Sequence, residues 1–263
     1  MQRHQILSHN RQAWDRRVLQ GETFARPTAD EDFQDPLLRL DPRGWLGNVV
    51  GKRILCLGAG GGKHGPLFAK AGAIATVVDL SPAQLELDRS TARKHAVEVR
   101  TIETSIDDLS PLYGEQFDLV VQPVSSCYVP DVALMYQEIA KLLLPGGVYV
   151  SQHKTPTSLQ SRMEPTRAGY EVAIPYYINA TLPEVNGSRL REAGTLEFLH
   201  RWEQLIGGLC RSGFIIEDLI EPRHDRAEAE SGSFGHRAQF IAPYVRIKAR
   251  RVDGSERTRL VLP

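Results

Sequence analysis

The apolar run Ile54-Leu55-Cys56-Leu57 breaks abruptly into Gly58-Ala59-Gly60-Gly61-Gly62, and Asp79 closes a second apolar run 21 residues after Gly58. A short run with no polar alternation reads as a strand buried on both faces, and the glycines read as a tight turn into a helix. Such a turn brings backbone N–H groups and a helix N-terminus close to a ligand, while a carboxylate about 20 residues on is placed to bind ribose hydroxyls. The combination predicts a bound nucleoside.

Which nucleoside turns on a few positions. A dinucleotide fingerprint G-x-G-x-x-G needs a glycine where this chain has Lys63, so from Gly58 and Gly60 the match is to G-x-G-x-G. A phosphate-cradling G-x-x-x-x-G-K-[ST] fails at Leu57, where its first glycine belongs, and at His64, where it needs a hydroxyl.

With its neighbours, the run from Ile54 to Asp79 resembles the first two motifs of class I S-adenosylmethionine-dependent methyltransferases. Further landmarks follow in order. Phe117 to Val121 resembles that family's fourth strand, Leu144-Pro145-Gly146-Gly147 the turn into its fifth, and Leu209 to Phe214 the junction before its sixth. The resemblance covers about residues 45–222. It implies an α/β, doubly wound, mostly parallel seven-stranded sheet with helices on both faces and an antiparallel last strand. It also implies S-adenosylmethionine as cofactor and a methyltransferase activity.

Composition narrows the partners. Lys+Arg and Asp+Glu both number 32, and the pI is near 7.1, so the chain exerts no long-range attraction on nucleic acid or an anionic membrane. A small-molecule substrate is favoured. Three cysteines, Cys56, Cys127 and Cys210, show no zinc spacing and suit a reducing compartment. With no apolar leader and no stretch near 18 apolar residues, a cytoplasmic protein is expected. Oligomeric state is not legible.

Residues 1–46, mixing charge, proline and scattered aromatics, read as a helical cap, and 47–250 as the methyltransferase domain. Within it the strand and helix alternation stops, and prolines 156, 165, 175 and 183 punctuate 154–193, which reads as a lid over the substrate. Leu196 to Arg211 reads as an amphipathic helix, and Phe240 to Ala249 as a last strand that Pro243 would hold near an edge. Residues 251–263 form a charged tail. Ser81-Pro82 and Asp131 are helix starts, and Val97 to Ile102 alternates like a strand near the sheet edge.

Gly58, Ala59 and Gly60 are the first candidates for the cofactor, with Asp79 and the adjoining Leu80. Family resemblance adds Ser105, Ile106 and Asp107 after the third strand: Ile106 as an apolar wall against adenine, Ser105 or Asp107 as acceptor for its amine. It also adds Gln122, whose backbone is placed to take over anchoring of the cofactor's amino group. That role falls open because Cys56 stands where the family usually has an acid. Lys63 is a candidate partner for the cofactor's carboxylate. On the substrate side, Gln122-Pro123-Val124-Ser125 holds the place of an amine-methyltransferase motif without its second proline and aromatic. His153 at the end of the fifth strand and His64 after the glycines are candidate proton acceptors, and Tyr128 is a third residue at this rim. No metal is implied.

These residues are expected to align a small acceptor for in-line methyl transfer. A nicotinamide-dependent oxidoreductase and a non-catalytic S-adenosylmethionine sensor are the alternatives.

Overall fold

The computed structural model describes residues 1–252. Among them, β1 (Arg53–Leu57), β2 (Ile74–Asp79), β3 (Val99–Glu103), β4 (Phe117–Gln122), β5 (Leu143–Lys154), β6 (Phe214–Ile220) and β7 (Tyr244–Arg251) form one sheet. Their order is β3-β2-β1-β4-β5-β7-β6. β1 to β5 pair in parallel, and β7 runs antiparallel to both β5 and β6. This is the mixed, doubly wound sheet that the resemblance implied.

Helices α1 (Arg3–Leu19) and α2 (Pro36–Leu40) precede the sheet, and α3 (His64–Lys70), α4 (Pro82–Lys94) and α5 (Val132–Leu142) connect its parallel strands. Local chemistry marks their starts: Ser81 Oγ accepts the N–H of Gln84 (3.1 Å) ahead of Pro82, and Asp131 Oδ1 accepts that of Ala133 (2.9 Å). β1 divides its side chains by parity between two cores. Ile54 and Cys56 pack with Phe68 of α3 and Leu85 of α4, while Leu55 and Leu57 pack with Met135 and Ile139 of α5. Because both faces are covered, β1 carries no polar alternation.

Three sequence expectations change. The stretch 196–201 is not helical; the π-helical turn Glu203–Gly207 leads into α7 (Gly208–Arg211). The reason is competing hydrogen bonds: the N–H of Leu196 goes to Asn10 Oδ1 (2.7 Å) and that of Phe198 to the carbonyl of Cys127 (2.7 Å). Second, β7 lies inside the sheet, between β5 and β6, because Pro243 precedes the strand and removes no ladder donor. Third, Arg251 ends β7, so the expected tail begins later, and 253–263 lie outside the described residues.

The chain moves outward from β1 to β3 and then returns to β4 on the other side of β1. At such a reversal the loops leaving the two central strands part, and open sheets of this kind bind ligands in the crevice. The glycine turn after β1 and the loop after β4 face each other there. α1 closes one side, although its composition is strongly polar. Ile6, Asn10, Ala13 and Arg17 are buried along one stripe, the two polar members held by hydrogen bonds: Asn10 Nδ2 to the carbonyl of Leu196 (3.0 Å) and Arg17 Nη2 to that of Ala193 (3.0 Å). Between 154 and 193 the short helix α6 (Pro156–Gln160) is the one helix, and α8 (Phe234–Arg237) precedes β7.

Candidate active site

One cavity of about 560 Å³ opens at this crevice, within the roughly 300–1,000 Å³ common for small-molecule sites. Gly58 adopts φ +55°, and a Cβ there would lie 2.5 Å from Ser125 Cβ, so only glycine lets the β1 and β4 loops close. At Gly60 a Cβ would lie 2.7 Å from Gln84 Cβ and 2.9 Å from Asp79 Oδ2. Gly58→Ala is expected to cost about 3 kcal/mol through left-handed strain and overlap, lowering the melting temperature by about 10 °C. Calorimetry checks this, and adding Ser125→Gly should recover only the overlap part.

Asp79 ends β2 against this turn. Its Oδ2 accepts the N–H of Gly60 (2.9 Å) and its Oδ1 that of Ser81 (2.9 Å). Each oxygen retains a lone pair, and the residue lines the cavity. Burial pushes its pKa up to about 6 against the pull of these N–H groups. Beneath the turn, Asp88 of α4 accepts the N–H of Gly61 (2.9 Å), and burial pushes its pKa up to about 8. Asp88 is thus an acid under the glycine turn, where β1 itself carries Cys56. Its sequence signal was its spacing with Leu85 and Ala92 on the buried face of α4.

Of the expected cofactor residues, Gly58, Ala59, Gly60, Asp79, Leu80, Ser105, Ile106 and Gln122 share the cavity wall. Asp107 does not. Its carboxylate is fully buried and takes a bidentate pair from Arg3, at 3.0 and 2.7 Å, which ties α1 to the loop after β3. Ser105 Oγ also donates to Asp107. The wall holds a further acceptor, Gln84, whose Oε1 is buried without a partner among the described residues. A glycine cradle, a carboxylate with open lone pairs, apolar side chains from Leu80 and Ile106 and a waiting amide oxygen suit an adenosyl group.

The three residues expected on the substrate side part company. His153 is fully buried and off the cavity wall: its Nδ1 meets Ser126 Oγ at 2.7 Å, its Nε2 meets Ser151 Oγ at 2.8 Å, and burial with His200 pushes its pKa down to about 3. With both nitrogens engaged, it organises Ser126 and Ser151 rather than meeting a substrate. Tyr128 lines the cavity and donates to Glu192 Oε2 (2.6 Å). Burial and the Glu192 charge hold its hydroxyl well above the ordinary phenol range, so it stays protonated. His64 lines the cavity as a neutral imidazole, its pKa pushed down to about 4 by burial and by Lys63, Arg246 and Arg39.

Other wall residues carried no local sequence signal. Behind Glu192 lies a buried ion cluster: Lys154 Nζ meets Glu192 Oε2 (2.8 Å) and Glu197 Oε1 (2.5 Å), and Arg191 pairs with Glu197. Arg39, Arg43, Arg189 and Arg246, with His224, also line the cavity, Arg246 from β7. Among the described residues no three His, Cys, Asp or Glu side chains cluster as a metal site.

Known proteins agree with this architecture. The family described as a methyltransferase domain matches residues 55–151. The uncharacterized methyltransferase YbaJ of Bacillus subtilis (strain 168) is 31% identical over 232 residues, 83% of this chain and 91% of that protein. A ubiquinone biosynthesis O-methyltransferase of Alkalilimnicola ehrlichii is 33% identical over 115 residues, 43% of this chain and 47% of that one, so this chain spans about half of it. In fold, a crystal structure of an S-adenosylmethionine-dependent methyltransferase from Mesorhizobium loti superposes with a TM-score of 0.63 at 23% identity, covering 83% of this chain and all of that one. Taken with the sheet order and the glycine turn, the similarity to YbaJ makes this chain a member of the class I S-adenosylmethionine-dependent methyltransferases.

Proposed function

We propose that this methyltransferase acts on a small-molecule acceptor, which it encloses between a cap (1–46), the sheet edge and a lid (154–193). The observation that carries the reading is that one cavity is lined at once by the glycine turn, by Trp14, Phe24 and Trp45 of the first 46 residues, and by Arg189 and Glu192 of the lid. A cavity walled on several sides in that way suits a small ligand better than a polymer. Zero net charge points away from nucleic acid, and no helix among the described residues is long and apolar enough to cross a membrane. The partial similarity to a ubiquinone biosynthesis O-methyltransferase supports the same choice. The cysteine pattern, with Cys56, Cys127 and Cys210 all free, supports placing it in the cytoplasm.

In this reading Gly58, Ala59 and Gly60 cradle the adenosyl group, Asp79 accepts hydrogen bonds from the ribose diol, and Leu80, Ser105, Ile106 and Gln122 surround the base and its attachments. S-adenosylmethionine supplies an electrophilic methyl on a sulfonium. Held by the glycine turn and Asp79, it would offer that methyl to an electron pair of the acceptor, with sulfur as the leaving group. The protein's task is mainly alignment, worth roughly 7–11 kcal/mol of the barrier. Tyr128, locked as a donor, positions Glu192, and His64, held neutral at the wall, is placed to accept a hydrogen bond from the acceptor.

Hydroxyl donors bind an ionised carboxylate better than its acid. Cofactor affinity is therefore expected to be level above pH 7 and to fall as pH drops through about 6, the pKa of Asp79. Calorimetric titration of S-adenosylhomocysteine from pH 5 to 8 measures this, and an affinity that rises toward pH 5 would contradict it. The reaction is tested by mixing the purified protein, labelled cofactor and a cell extract, with metabolites read by mass spectrometry. A labelled small molecule supports the reading. Label confined to protein or nucleic acid overturns it, and so does retention of NAD in place of S-adenosylmethionine. A sensor would bind the cofactor and transfer nothing.

A further inference from the structure

The cavity wall is far more basic than the chain around it. Five Lys or Arg side chains line it, Arg39, Arg43, Lys63, Arg189 and Arg246, against three acids, Asp41, Asp79 and Glu192. The acids are already engaged. Asp41 accepts the N–H groups of Trp45 (2.8 Å) and Leu46 (2.7 Å), Asp79 those of Gly60 and Ser81, and Glu192 pairs with Lys154. Of the five cations, Arg39 meets Asp32 Oδ2 at 3.2 Å, and the other four form no ion pair among the described residues. In a chain whose formal charge is zero, this excess of positive charge is concentrated at the cavity.

Arg246 is its centre. It stands on β7 opposite Gln152 of β5, whose Oε1 takes its Nε–H at 2.5 Å, and neither Nη makes a hydrogen bond among the described residues. Two residues along the same face of the strand, Tyr244 packs on His224 with ring centroids 5.4 Å apart. His224 packs in turn on Phe234 (5.5 Å), over which the Arg189 guanidinium lies at 5.0 Å. His224 Nε2 is buried with no partner among the described residues, a state that calls for an explanation. Burial and Arg43 both hold Arg246 below the ordinary guanidinium range, so these cations strain against one another. β7 and β2, which carries Asp79, are four strand positions apart in the sheet order, roughly 19 Å across.

We infer that the methyl acceptor carries an oxyanion, of carboxylate or phosphate type, that docks on Arg246 and Arg43 at the β7 end of the cavity, with Arg189 and His224 beside them. A guanidinium with both Nη groups open suits a planar or tetrahedral oxyanion taken bidentately. Lys63, at the glycine turn, is left for the cofactor's own carboxylate, while Arg246 stands on β7, four strand positions from the strand that carries Asp79. The inference rests on the methyl-transfer reading above and names its substrate class.

The test uses the extract reaction with labelled cofactor, Asp79→Ala as the blank, and separation of labelled products by ion exchange at neutral pH. Wild type is expected to yield an anionic labelled product, and the purified product's precursor then serves as substrate. Arg246→Ala should raise KM for it roughly 10- to 100-fold while the Kd for S-adenosylhomocysteine stays within about twofold. Arg43→Ala, at an exposed position where folding is not at risk, should raise KM by a smaller factor with unchanged melting temperature. A neutral or cationic labelled product overturns the inference and leaves methyl transfer standing. So does an Arg246 variant that weakens S-adenosylhomocysteine as much as it weakens the acceptor, since the bay would then belong to the cofactor. No label above the blank removes the methyl-transfer reading itself, and the inference with it.

Discussion

Replacing Asp79 with alanine is expected to lower the affinity for S-adenosylhomocysteine at least about 100-fold, near 3 kcal/mol. Two effects add. The variant loses the acceptor for the ribose diol, where hydrogen bonds to a charged group contribute about 1.5–3 kcal/mol each. It also frees the N–H groups of Gly60 and Ser81, which Asp79 now holds at 2.9 Å, and so loosens the turn that shapes the cradle. Asp79→Asn keeps one acceptor oxygen but brings an N–H₂ where a second acceptor is needed, so its loss should fall between wild type and alanine. Calorimetry on both variants separates the two effects, and an alanine variant that binds as tightly as wild type would refute the assignment.

The second large effect concerns the segment proposed as a lid. Lys154→Ala is expected to destabilise the protein by about 3–5 kcal/mol, the cost of leaving buried charge unpaired. Lys154 and Glu197 are almost wholly buried, and Lys154 holds both Glu192 and Glu197. Without it, Glu197 keeps Arg191, and Glu192 keeps the Tyr128 hydroxyl but loses its ion-pair partner. The cluster joins the end of β5 to residues 191–197, and Arg191 Nη2 reaches the carbonyl of Pro183 (2.8 Å) farther along the lid. Loss of Lys154 should therefore expose 183–197 to proteolysis before the sheet unfolds. A charge-balanced variant, Lys154→Met with Glu192→Gln, should recover more than half of the loss. Denaturant unfolding of both variants gives the two numbers, and a loss below about 1 kcal/mol in Lys154→Ala would show the cluster to be dispensable.

Parts of the molecule that repeat a local rule were legible in the sequence. β1 had to be buried because Ile54 to Leu57 are apolar without a break, Gly58 had to turn, and Ser81 and Asp131 had to start helices; each is settled within a few residues. The residues that close the site are not local. Arg3 finds Asp107 and Asn10 finds Leu196 only after the sheet has brought them together, and nothing near Arg3 announces a partner. The stretch 196–201 misled because Leu196, Leu199 and Trp202 have helical spacing, whereas the N–H groups of Leu196 and Phe198 are claimed by Asn10 and Cys127. His153 misled differently: the strand end was placed correctly, but burial and two serine hydroxyls occupy the ring. The basic bay was hidden for the reason the ion cluster was, since positions 43, 189 and 246 meet only in three dimensions.

Everything turns on the cradle formed by the glycine turn and Asp79. A crystal of the protein grown with saturating S-adenosylhomocysteine tests it most directly. The account predicts both ribose hydroxyls within hydrogen-bonding distance of the Asp79 carboxylate, and the adenine beside Leu80 and Ile106. A nucleoside bound elsewhere in the cavity, or a cradle that remains empty at saturation, would contradict it.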